Sequence, residues 1–174
     1  MPPLSAVGIS GLQAGEDVNF VSLLPTFSPE VIPATPGSYS LFFFLNQLTL
    51  NFKNTQLIVN EGYYCYCGSA LGKGGLQRRI LRHLDQIKKV YWHIDYLTPH
   101  ARFLYLCFCE TIISLECVFA KAINKLPNVK APFPGFGSTD CTNKCISHLL
   151  YTPKMWNGEE IVKKLIRSIN DHEK

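Results

Sequence analysis

Two tyrosines stand at the ends of two aromatic-rich segments: Gly37-Ser38-Tyr39 opens the first, and Tyr66-Cys67-Gly68 closes the second. A phenol at a strand end reaches the rim of a sheet. There it can hold a water or a phosphate oxygen, or move a proton if its pKa is tuned. Taken singly, each is also an ordinary strand residue. Downstream, Arg79 and His83 are four apart and share a helical face, with Arg78 and Arg82 in a neighbouring row. Lys73, Lys88 and Lys89 add charge, and Asp85 is the only acid between Gly68 and Lys89. The Gly-rich run from Gly68 to Gly75 leads into the helix, whose N-terminus favours an anion. This is an electropositive patch suited to phosphate; the plain alternative is a solvated basic face. It is not a P-loop, because Gly68 to Gly72 is one residue short before Lys73 and Gly74 stands where Ser or Thr is needed.

Glu116 lies beside Ile112, Phe119 and Ile123 on a second helical stripe. A carboxylate at a buried edge is costly unless it is paired or coordinates a cation. One Glu with waters and a substrate phosphate can hold Mg²⁺; a salt bridge to Arg79 or a lysine is the alternative. His93 and Asp95 flank Ile94 and, in extended chain, point to one side. Beside Trp92 and Tyr96 they would line a groove for a base or sugar, or pair with each other at a core edge. Asp140, Cys141, Cys145 and His148 lie close together, and Cys-x3-Cys-x2-His offers three zinc ligands with Asp140 or His93 as a fourth. Cys117 with His148 lacks the oxyanion loop of a cysteine hydrolase. Cys65 and Cys67, like Cys107 and Cys109, alternate along strands and read as small buried apolar residues.

The elements that position these groups can be read coarsely. Tyr39 to Leu45 and Tyr63 to Cys67 read as buried strands able to pair antiparallel, with Gln56 to Val59 as a short strand between them. Leu76, Ile80, Leu84 and Ile87 recur at helical spacing. Arg102 to Glu110 reads as a third strong strand. Ile112, Leu115, Phe119, Ala122 and Leu126 make a second helix ending before Pro127. Ser147 to Tyr151 reads as a short strand, and Glu159 to Ile169 as a C-terminal helix. The fold class expected is α/β (α+β), a small, mainly antiparallel central sheet flanked by helices around a β-β-α-β-α core. Residues 1–36, rich in Pro, Gly and Ser, read as an irregular arm, and residues 37–174 as the domain with its C-terminal helix.

Composition bounds the class. The 174 residues are 47% hydrophobic and 17% charged, enough apolar material for a core and too little charge for a disordered chain. A net charge of +4 permits a nucleic-acid partner without demanding one. No apolar run reaches the roughly 18 residues of a membrane span, and the N-terminus has no secretory pattern. A cytoplasmic protein with reduced thiols and no membrane partner is expected, in keeping with an odd cysteine count of seven.

The ordered set Gly37-Ser38-Tyr39, Tyr66-Cys67-Gly68-Ser69, Leu76-x-x-Arg79 with His83, and Glu116 resembles the motifs of the GIY-YIG nuclease superfamily. Tyr64 to Gly72, Gly74-Gly75-Leu76, Arg82-His83-Leu84, Trp92 to Leu97, Glu116-Cys117, Phe136-Gly137-Ser138-x-Asp140-Cys141 and Ser147-His148-Leu149 look more closely like a prokaryotic branch of it. Members of that branch sometimes occur joined to a base-excision endonuclease domain. The resemblance spans Gly37 to Tyr151. It implies an endonuclease dependent on Mg²⁺ or Mn²⁺, acting on DNA in repair, with DNA-repair proteins as partners. Tyr39, Tyr66, Arg79, His83 and Glu116 would be catalytic, with Glu116 the metal ligand. Ser69, Lys73, Arg78, Arg82, His93, Asp95 and His148 would face nucleic acid, and Asp140 and His148 would border the same cleft as Arg79, a use preferred to zinc. The alternatives are an inactive nucleic-acid-binding module of the same fold and a zinc-stabilised interaction protein.

Overall fold

A computed structural model describes residues 18–23, 27–52 and 54–172. Its central sheet has the order β1-β6-β2-β5-β7, with every pairing antiparallel. The strands are β1 (Asn19–Ser22), β2 (Gly37–Leu45), β5 (Gly62–Ala70), β6 (Arg102–Glu110) and β7 (Leu149–Thr152). The long link between β2 and β5 is itself a hairpin, β3 (Leu48–Phe52) with β4 (Thr55–Val59). Helices α1 (Gly75–Leu84), α2 (Glu116–Asn124) and α3 (Gly158–His172) cover the sheet. The mixed, mainly antiparallel architecture expected from the sequence is the one observed.

The central strands carry long apolar runs because both sheet faces are covered. Tyr39, Leu41, Phe43, Tyr64 and Tyr66 enter the core layer that also holds Leu76 and Ile80 of α1. Their neighbours Phe42, Cys65, Cys67, Cys107 and Cys109 enter the opposite layer, with Phe119 and Ile123 of α2 and Leu165 of α3. The four strand cysteines are thus the small buried residues expected.

Three local readings change. Part of the expected arm is structural: β1 pairs with β6, and Phe20 opposes Cys107. Residues 1–17 of that arm lie outside the described residues. Helix α1 ends at Leu84, leaving Ile87 93% exposed. Asp85 Oδ1 accepts the Ile87 N–H at 2.9 Å, an Asx-turn that competes with the helix. Likewise Thr111 Oγ1 accepts the Ile113 N–H at 3.1 Å, so Ile112 sits in a turn, 86% exposed, before α2 begins.

Candidate functional site

Tyr39 and Tyr66 lie on one face of neighbouring strands. Tyr39 opposes Gly68 and Leu41 opposes Tyr66, so the two phenols are diagonal neighbours. Gly68 is required here, because a Cβ on it would lie 2.5 Å from the Tyr39 hydroxyl. Both rings line a cleft of about 320 Å³ whose walls also carry Arg79, Glu116, His93 and Asp140. Four of the residues expected to be catalytic therefore converge on one space.

His83 stands behind Tyr39. Its Nε2 is 2.7 Å from the Tyr39 hydroxyl, and its Nδ1 is 3.7 Å from Asp95 Oδ1. The carboxylate favours a proton on Nδ1, which leaves the Nε2 lone pair to accept the Tyr39 O–H. Burial holds His83 below the usual histidine range, against the pull of Asp95. Burial also raises Tyr39 well above an ordinary phenol, helped by Tyr66 and opposed by Arg79. Tyr66 is raised in the same way, by burial first and by Glu116 second. At rest the imidazole is neutral and both phenols keep their protons.

Asp95 is a correction. It was expected to face nucleic acid with His93, but its side chain is fully buried. Residues His93–Tyr96 form a tight helical turn rather than extended chain, so the two side chains diverge. His93 Nδ1 accepts the Gly137 N–H at 2.9 Å, while Asp95 points under α1. Asp95 Oδ2 accepts from Arg82 at 2.9 Å and from the N–H groups of Tyr91 and Trp92 at 3.0 and 2.9 Å. Lys88 Nζ lies 3.5 Å from Oδ1. Burial alone would raise this carboxyl, but His83 first, then the Trp92 and Tyr91 N–H groups and Lys88, hold it well below the usual range. Arg82, also expected to bind nucleic acid, spends its guanidinium on Asp95 and on the Lys89 carbonyl at 2.8 Å.

Arg79 is placed differently. Its guanidinium lies 4.2 Å over the Trp92 ring, and neither Arg79 nor Glu116 has an ion pair among the described residues. The salt-bridge alternative for Glu116 is therefore not observed. Glu116 is the first residue of α2, where the helix dipole favours a carboxylate. Three serines set that helix start. Ser38 Oγ accepts the Leu115 N–H at 2.9 Å and lies 3.0 Å from Ser69 Oγ, which is 2.8 Å from Ser114 Oγ. Ser69, expected to face nucleic acid, lines the cleft, and its hydroxyl braces α2. Ser38 and Ser114 were missed, because their roles depend on contacts distant in sequence.

The basic patch survives in altered form. The first turn of α1 is not open to an anion: Thr35 and Pro33 carbonyls accept the N–H groups of Leu76 and Gln77, both at 2.9 Å. The charge comes from side chains instead. Lys73, Arg78, Arg79 and Arg82 line a second cleft of about 300 Å³, which shares Arg79, Tyr91 and Trp92 with the first.

His148 is the other correction. It was expected to share the Arg79 cleft with Asp140, but only Asp140 lines it. His148 is buried, with Nε2 3.6 Å from Cys117 Sγ. Cys117, Cys141, Cys145 and His148 form a group that could hold a metal ion, their donor atoms all within 4.8 Å of one another. The fourth member is Cys117, not the expected Asp140 or His93. Its distance in sequence hid it. Burial pushes the Cys145 thiol up to about 12.

Fold and site together define an α+β protein with a tyrosine–arginine–carboxylate cleft beside a thiol–imidazole cluster. The chain belongs to the family described as "Domain of unknown function DUF123", whose model matches residues 38–171. Comparison with curated proteins and with solved structures gave no match. No helix among the described residues is long and apolar enough to cross a membrane.

Proposed function

We propose that this protein is a divalent-metal-dependent nuclease of the GIY-YIG type, with DNA as its substrate. The observation that carries the reading is the convergence of Tyr39, Tyr66, Arg79 and Glu116 on one cleft. The adjoining basic cleft supplies a track for the phosphate backbone, and the exposed Tyr91 ring offers a face on which a base can stack.

In this reading Asp95 holds His83 in the Nδ1–H form, and Nε2 receives the Tyr39 proton as Tyr39 takes one from the attacking water. The new imidazolium then faces the Asp95 carboxylate. The 3.7 Å gap between His83 and Asp95 suits a contact that tightens as charge develops. Water oxygen bonds to phosphorus, the bond to the leaving oxygen breaks, and that oxygen is protonated from solvent. Arg79 stabilises the charge gathered on the phosphoryl oxygens. Tyr66 orients the attacking water from the neighbouring strand.

Glu116 and Asp140 bring carboxylate oxygens to the same cleft without ion pairs among the described residues, a donor set that fits a hard divalent ion. Mg²⁺ or Mn²⁺ held there by Glu116 would act as a Lewis acid on the phosphate.

Labelled duplex, nicked, branched and single-stranded DNA, incubated with the full chain and Mg²⁺ or Mn²⁺, test the proposal. Metal-dependent cutting of at least one substrate is expected. Salt-sensitive binding without cutting of any substrate would overturn it in favour of a non-catalytic binding module.

A further inference from the structure

The cysteine–histidine group joins three parts of the fold. Cys117 lies in the first turn of α2, Cys141 and Cys145 lie in the loop before β7, and His148 immediately precedes that strand. Cys117 Sγ is 3.3 Å from Cys141 Sγ and 3.6 Å from His148 Nε2. Around a tetrahedral zinc ion, standard bond lengths put two sulfurs about 3.8 Å apart and a sulfur and a nitrogen about 3.6 Å apart. The donors are thus already near the spacing that the ion imposes.

The chemistry of the set is selective. Thiolates and imidazole favour zinc over the hard ions suited to Glu116. Three sulfurs and one nitrogen complete a tetrahedron with no open position, the pattern of a structural site. Cys117 and His148 are buried, whereas Cys141 and Cys145 are half-buried. Lys144, between the two loop cysteines, has a φ of 53°, a left-handed conformation uncommon for a non-glycine residue. The turn that places it closes with Lys144 N–H donating to the Cys141 carbonyl at 3.3 Å. The backbone at His148 is fixed by its N–H, which donates to the Phe136 carbonyl at 2.9 Å.

We infer that Cys117, Cys141, Cys145 and His148 bind one Zn²⁺, which fastens the loop before β7 to the start of α2. Each thiol releases its proton to solvent on binding, and His148 coordinates as neutral imidazole through Nε2. Cys117 follows Glu116 and Cys141 follows Asp140, so the ion sets the spacing of the two carboxylates that line the cleft. The zinc site stands on donor geometry and does not require the cleft to be a nuclease. A Cys117–Cys141 disulfide is the competing use of the same atoms. It would shorten their separation to about 2.05 Å and leave Cys145 and His148 without the ion.

The full chain, expressed with zinc and purified without chelator, tests this by elemental analysis. Exchange with Co²⁺ gives a second readout, and competition with a chromophoric chelator measures affinity. One zinc per chain and the intense visible bands of tetrahedral, thiolate-bound Co²⁺ are expected. Changes outside the first ligands cost about 10–100-fold in affinity, so Cys145→Ser, which removes a ligand, should weaken Zn²⁺ by more than about 100-fold. A chain free of metal after reduction and zinc loading, or one giving only the weak bands of octahedral Co²⁺, would overturn the site. So would a disulfide by intact mass with no zinc uptake after reduction. If Cys145→Ser does not fold, the wild-type metal content and Co²⁺ spectrum decide. Zinc bound in a protein that cuts no DNA would leave this inference standing and remove only the nuclease.

Discussion

Asp95→Asn is expected to cost about 3–5 kcal/mol of folding stability, the range for removing one partner from a buried ion pair. Asparagine keeps the shape and a carbonyl oxygen for the Tyr91 and Trp92 N–H groups. It loses the charge, and its amide nitrogen would face the donors of Lys88 or Arg82. Lys88 is only 3% exposed, so its ammonium would be left without a counter-ion where it sits. Arg82, at 34%, can turn towards water and loses less. For a chain of this size, the melting temperature should fall by about 6–20 °C. Urea unfolding followed by circular dichroism measures the loss, with the denaturant slope unchanged. The pH dependence gives an independent reading. Because the folded carboxyl is held low, its stabilisation is present above the unfolded pKa and is lost as pH falls through the folded one. The gap between the two proteins should be constant near neutrality and shrink only below about pH 4. A loss under about 1 kcal/mol at neutral pH, or a gap that widens on acidification, would refute the assignment of Asp95 as a charged anchor.

Other expectations concern the cleft. Gly68→Ala places a Cβ 2.5 Å from the Tyr39 hydroxyl, so overpacking of about 1–3 kcal/mol should show in unfolding, together with loss of cutting. Unchanged stability and rate would contradict that close approach. Tyr39→Phe leaves His83 Nε2 buried without its 2.7 Å partner and should cost about 1–3 kcal/mol. It should also slow cleavage by about 10²-fold or more, and a variant that cuts at the wild-type rate excludes Tyr39 from proton transfer. Cleavage should be level above about pH 6.5 and fall on the acid side, because the low-pKa His83 must be neutral to accept a proton; a rate that climbs towards acid would count against that role. Lys73→Ala, at an exposed position on the basic cleft, should lower the salt slope of DNA binding by about one without changing sequence preference; an unchanged slope would remove that contact.

The strands of the core were legible because burial on both faces leaves an unbroken apolar run, as in Phe42-Phe43 against Cys65-Tyr64. Periodicity overran the helices at Ile87 and Ile112, where short side-chain turns at Asp85 and Thr111 outweighed the apolar pattern. Strand β1 was illegible because four residues carry little pattern and its partner strand β6 lies far along the chain. The same limit applied within the site. Tyr39, Tyr66, Arg79 and Glu116 were readable as an ordered set, whereas the Asp95 anchor and the place of Cys117 in the thiol–imidazole cluster exist only once distant segments meet. His93 and Asp95 were misjudged because alternation holds in extended chain and fails in a helical turn.

The most direct test of the central claim is single-turnover DNA cleavage by wild-type, Glu116→Gln and Arg79→Ala proteins, with binding measured separately and folding checked. Metal-dependent cleavage by the wild type, slowed about 10²–10³-fold in each variant while Glu116→Gln still binds DNA, is the expected result. Cleavage by either variant at the wild-type rate, or none by the wild type under any metal, would contradict the account.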